Sequence, residues 1–214
     1  MPRPRVHDLD RLLDTAERLV AQSGAGTLTV RGLATAAGVP NGTIYHAFGS
    51  VGALLGQVWL RAARDVLDLQ TELADAAARE GTPADAVVAA ADAPAVFACR
   101  RPSAARMLLT VKRDALLGPQ LPTELADDLL ALDTRVVALL VRLAEQLWGR
   151  RDAAAVEVLT TCVVDLPTAL LRRPLTADPP QADPDVRARL AVAVRAVLSL
   201  APPSARTRPS TPKD

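Results

Sequence analysis

Asn41, Thr43, Tyr45 and His46 place an amide, a hydroxyl, a phenol and an imidazole within the stretch Asn41 to Phe48, while Ile44, Ala47 and Phe48 fall on its other side at helical spacing. Such groups on one side of a helix bond to phosphate oxygens and to the donor and acceptor edges of bases. The chemistry is recognition of a nucleic acid rather than turnover. No Gly-rich phosphate loop, nucleophile elbow or pair of catalytic carboxylates occurs in the sequence. Cys99, Cys162, His7 and His46 have no metal-ligand spacing. The reading is therefore of a chain with no catalytic residue, metal or cofactor, in which both cysteines are small core residues.

The elements that must hold those polar groups are legible on either side of Gly38-Val39-Pro40. Val30, Leu33, Ala34 and Ala37 recur at i, i+3, i+4 and i+7, one apolar stripe of a helix that Thr29 caps through its hydroxyl. Gly38 supplies the backbone that ends this helix, and Pro40 starts the next without losing an amide bond. Ahead of the pair, Leu9, Leu12, Leu13, Ala16 and Leu19 mark a first helix, capped near Asp8 and ended at Gly24. The arrangement is a helix-turn-helix whose second helix enters DNA.

From about Leu9 to Leu55 the pattern resembles the DNA-binding domain of the TetR (tetracycline-repressor-like) family of transcriptional regulators. The resemblance rests on Leu12, Leu13 and Ala16, on Leu33-Ala34 and Ala36-Ala37-Gly38-Val39, and on Gly42-Thr43-Ile44-Tyr45-His46-Ala47-Phe48. It implies a homodimer on a pseudopalindromic operator, released when a small molecule enters a larger C-terminal helical domain. One departure stands out: where the family usually follows a capping Ser with Lys-Glu, Ser50 is followed by Val51-Gly52. The usual phosphate clamp is missing, and free amides at that helix start are left to hold a phosphate. Arg3 and Arg5 are either basic arms tracking the backbone or minor groove or merely a solvated terminus. The expected DNA-binding set is Arg3, Arg5, Thr29, Arg31, Pro40, Asn41, Gly42, Thr43, Tyr45, His46 and Ser50.

The net charge of +1 over 214 residues is unevenly spread. Residues 1–64 carry Arg3, Arg5, Arg11, Arg18, Arg31, Arg61 and Arg64 against Asp8, Asp10, Asp14 and Glu17, whereas 65–214 is net negative. Positive charge thus accompanies the proposed reader, mildly enough that nonspecific DNA affinity should be modest. With 50% hydrophobic but only 2% aromatic residues, helices packed through Ala, Leu and Val are favoured. No apolar run reaches the roughly 18 residues of a membrane span and no signal peptide opens the chain. The expectation is a cytoplasmic protein without a membrane partner.

The fold class expected is all-α, about nine helices: a helix-turn-helix domain over 1–49, a ligand-binding and dimerisation domain over 50–201 and a disordered tail over 202–214. The fourth helix runs from Ser50 to about Arg79 as a lever between the domains. Thr82-Pro83 opens a fifth that Pro94 bends or ends; the sixth runs from Pro102 through Leu117, the seventh from Pro122 to Trp148, the eighth from Asp152 to Arg173 and the ninth from Pro184 to Ala201. Stripes at Ala155, Val158, Leu159, Cys162, Leu166, Ala169 and Leu170, and at Val186, Leu190, Val194, Val197, Leu198 and Ala201, either close a twofold four-helix interface or face their own core. Asp165, beside the helix-bending Pro167, either orients a ligand or is solvated. Trp59, Phe97, Met107, Thr110 and Trp148 either line a cavity with it or fill the core. Together these features suggest a transcriptional repressor released from double-stranded DNA by a small apolar effector. The alternatives are a DNA-binding protein controlled by a protein partner and a helical enzyme.

Overall fold

The computed structural model describes residues 6–117, 121–177 and 181–204, with side chains from residue 9. Arg3 and Arg5 lie outside these residues, as does the tail from residue 205. Among the described residues the regular structure is entirely helical. Helix α1 spans Val6–Ser23, α2 Val30–Ala37, α3 Asn41–Phe48, α4 Val51–Glu80, α5 Pro83–Arg100, α6 Pro102–Thr110 and α7 Thr123–Trp148. A continuous α8 spans Ala153–Thr176, and α9 spans Pro184–Leu198.

Helix boundaries follow side-chain caps. Ser50 accepts the Ala53 amide at 3.0 Å to start α4, and Thr82 and Asp85 form a reciprocal capping box at the start of α5. Helix α1 already runs through Asp8 from Val6, so the expected cap there is not the helix start.

Pro94 does not end α5, which continues to Arg100. A proline inside a helix removes the bond to the carbonyl four residues back, here that of Ala90. The Nε2 of buried Gln70 on α4 donates to this oxygen at 2.9 Å. The break is thereby satisfied from the neighbouring helix. In α8, a π turn at Thr161–Asp165 immediately precedes Pro167 and widens the helix where the ring would otherwise strike the preceding turn.

Helix α6 stops at Thr110, short of the expected Leu117, because Val111 turns to extended backbone. Its carbonyl accepts the Trp59 indole N–H at 3.0 Å, and a 3₁₀ turn follows at Arg113–Ala115. At the other end of the chain, Pro202 is buried, and Arg150 donates to the carbonyls of Pro202 and Pro203 at 3.2 and 2.9 Å. Pro202 and Pro203 are therefore part of the fold, contrary to a tail loose from Pro202.

The apolar core is continuous from the first three helices into the rest of the molecule. Leu12, Ala16, Val20, Leu33, Ile44 and Phe48 join Leu54, Val58 and Ala62 of α4, and through them the alanine-rich faces of α5 and α6 and the inner faces of α8 and α9. A second cluster joins Ala53, Leu60, Ala63 and Leu67 of α4 to Leu125, Leu129 and Leu132 of α7. Gly56 makes that crossing close: a Cβ there would lie 3.1 Å from Leu125 Cδ2 and 3.2 Å from Leu121 Cδ1. Asp68 and Asp75 then staple α4 to Arg135 and Arg142 of α7 at 2.5 and 2.6 Å.

Among the described helices α8 alone has the length and composition to span a membrane, with a mean hydropathy of 1.6, and only 33% of that apolar window is buried. Its inner face, including Ala155, Leu159 and Cys162, packs in the core. Cys99, by contrast, is exposed on α5 and is not a core residue.

Candidate nucleic-acid interface

The reader is built by two helices whose joint is fixed by backbone geometry. Thr29 Oγ1 accepts the Gly32 amide at 3.0 Å, starting α2. Gly38 ends it at φ 69°, a left-handed conformation costly for any residue with a Cβ, and its N–H returns to the carbonyls of Ala34 and Thr35. Pro40 stands at the cap position of α3 in extended backbone, and the Thr43 amide donates to its carbonyl at 3.0 Å. Ile44 and Phe48 anchor α3 in the core at 1% and 6% exposure. The opposite face is thereby forced outward.

On that face Asn41, Gly42, Tyr45 and His46 are exposed, Tyr45 to 57%. A phenol left this open on an otherwise well-anchored helix has no packing role, whereas its hydroxyl and ring suit a groove or a phosphate. Thr43 is half-buried, less outward than its neighbours. Arg31 and Thr29 are exposed beside them on α2. The hydroxyls of Thr29 and Ser50 already accept backbone amides, so both residues chiefly set helix starts. At the start of α4, Gly52 has open space around the position a Cβ would take apart from the Ser50 hydroxyl at 3.8 Å, so an anion can approach the first amides closely.

The six residues expected to line an effector pocket are placed differently from one another. Phe97 and Met107 are buried in the main core, with Trp59 and Trp148 partly buried against it. Thr110 is exposed and bonds back to the Arg106 carbonyl at 2.8 Å. Asp165 is also exposed in the single chain. Two clefts lie elsewhere. One of about 350 Å³ separates α5 from α9 around the Asp92–Arg187 pair, and one of about 550 Å³ lies between α1, α4 and the start of α7. Neither contains any of the six residues.

A charged cluster that no motif announces lies behind the reader. Glu17, on the apolar side of α1, is only 6% exposed and receives Arg61 of α4 and Arg101 from the α5–α6 junction. An acid between Ala16 and Val20 on a core-facing stripe was the available signal.

Residues 12–58 match the family model for bacterial regulatory proteins of the tetR family. Several solved structures share the fold along nearly their whole length. A bacterial regulatory protein in the tetR family from Rhodococcus RHA1 is 16% identical with a TM-score of 0.68, the match covering 91% of this chain and 97% of that one. The fatty acid degradation regulator FadR from Bacillus halodurans is 17% identical with a TM-score of 0.63, covering 88% and 97%. A TetR-family regulator from Streptomyces coelicolor is 20% identical with a TM-score of 0.60, covering 90% and 98%. No curated protein matches the sequence.

Proposed function

From the match of residues 12–58 to the tetR-family model, we propose that this chain is a transcriptional regulator of the TetR type and acts as a repressor: a homodimer that holds a pseudopalindromic operator and releases it when a small effector binds the helical domain. The observation carrying the proposal is the outward face of α3, where Asn41, Tyr45 and His46 stand exposed on a helix locked by Gly38 behind and Ser50 ahead. Arg31 supplies charge from α2, and the amides opening α4 take the phosphate contact that a lysine would otherwise make. A regulator acting on DNA in this way would work in the cytoplasm.

Support for the dimer comes from what α8 and α9 leave uncovered. Val164 on α8 is 39% exposed and Val192 on α9 68%, and α8 is too apolar in composition for open water along its length. For the effector, Phe97, Met107, Trp59 and Trp148 are the side chains around which an apolar site would open. Thr110 and Asp165 face solvent in the single chain.

The test begins with an operator selected from a random duplex pool. Replacing Tyr45 with Phe, or His46 with Ala, should each weaken binding by about 1 to 3 kcal/mol for every well-formed bond to DNA that the change abolishes, while leaving the helical content intact. Gel-shift titrations giving wild-type affinity for both variants would remove α3 as the reading surface.

A further inference from the structure

Resting on that regulator reading, we propose that Arg101 is a positioning residue for DNA recognition: it ties the reader to the α5–α6 junction through the buried Glu17, giving the helical domain a route to α3 that does not pass along α4.

The residue stands between two helices, at φ −139° and ψ 73°, with its N–H on the Phe97 carbonyl and its own carbonyl accepting the Ala105 amide. Its backbone thus belongs to the ends of both α5 and α6. Its side chain reaches away from them. One guanidinium nitrogen bonds Asp65 on α4, the other bonds Glu17 on α1, and Cζ lies 5.9 Å from the Phe97 ring centre.

Glu17 is the sensitive end of this tie. A buried carboxylate is tolerated only while its charge is paired, and losing one partner leaves an uncompensated charge. The same oxygen, Oε2, also receives Arg61 at 3.3 Å, and Arg61 is shared with Asp14 at 2.7 Å. Removing Arg101 therefore leaves Glu17 with a guanidinium already divided between two acids. Because Leu12, Ala16 and Val20 of α1 pack in one core with α2 and α3, α1 carries the reader with it. A displacement of the α5–α6 junction must either drag α1 or break the pair. The same guanidinium sits over the ring of Phe97, one of the side chains around which an effector site would open, so effector binding would reach the reader through this pair.

The test uses the full chain with an operator selected from a random duplex pool, together with a distance measurement. Spin labels at Thr35→Cys on α2 and Thr134→Cys on α7, both exposed positions, are introduced with Cys99→Ser, Cys162 being fully buried. The labelled chain is diluted into unlabelled protein so that only distances within one chain are read. Arg101→Gln and Glu17→Gln should each lower operator affinity about five- to tenfold and broaden or shift the reader-to-α7 distance, and the double variant should be no worse than the poorer single one. Arg101→Lys, which keeps the charge but not the two-pronged reach, should fall in between and serves if either neutral variant fails to fold. Affinities within twofold of wild type with an unchanged distance distribution would overturn the tie, as would effects that multiply in the double variant. If no operator is selected by the wild type, the regulator reading fails, and the distances alone decide whether Arg101 positions α1.

Discussion

Gln70 shows how a single side chain decides whether a proline is a break or merely an interruption. Pro94 removes the donor for the Ala90 carbonyl, and Gln70 supplies one across the α4–α5 contact. Gln70→Met, close in size but without the amide, should cost about 1 to 3 kcal/mol, the penalty for a buried acceptor left bare. Urea unfolding should show this as a lower midpoint at constant slope, and a midpoint unchanged within error would mean that water replaces the amide. The two thiols make a second contrast. Exposed Cys99 should react with a thiol reagent in the native protein and Cys162 only after denaturation. Burial raises the Cys162 pKa from 9.0 to about 11. The folded protein then keeps this proton after the unfolded chain has lost it, so stability is full below pH 9 and falls as pH rises toward 11. Cys162→Ala should flatten that part of the stability profile in alkaline denaturation series, and an equally steep decline in the variant would assign it to other groups.

At the scale of elements, the helices themselves were legible because punctuation here is local. Thr29, Ser50, Thr82 and Asp152 each cap the helix their position announces. What sequence could not show was which side of an apolar stripe meets the chain's own core, because both kinds of face obey the same spacing. Leu159 and Val194, read as interface residues, are both 0% exposed within one chain. A charge at either would unfold the protomer before it tested a dimer. The surfaces left over are those around Val164 and Val192, so Val164→Asp and Val192→Asp should yield folded monomers by light scattering, with unchanged circular dichroism and weakened operator binding. A wild-type protein that is already monomeric at micromolar concentration would refute the dimer. That α5 runs on through Pro94 and that α6 stops at Thr110 were illegible for a related reason: the partners there, Gln70 and Trp59, lie 20 and 52 residues from the carbonyls they meet.

For the molecule as a whole, the continuous core means that the reader is not a bead on a linker. Its orientation is held by α4 through Ser50 and Leu54 and by α1 through Glu17, and a twofold pair would present two α3 helices at about 34 to 36 Å, one turn of DNA. Electrostatics then set how firmly that pair grips any duplex. Arg11, Arg18 and Arg31 are exposed in the reader, and Val51 stands where a lysine clamp would be, so a good part of the available charge is carried by Arg3 and Arg5 ahead of α1. The slope of log affinity against log salt falls by about 0.9 for each phosphate that is no longer neutralised. If both arms of a dimer reach DNA with at least one arginine each, removing residues 1–5 should reduce the slope by about 2 or more and weaken specific and random duplexes alike. The check is a salt titration of operator binding for the full and shortened chains. A slope that does not change would mean that the arginines ahead of α1 stay in solvent and that the grip rests on α2, α3 and the amides opening α4.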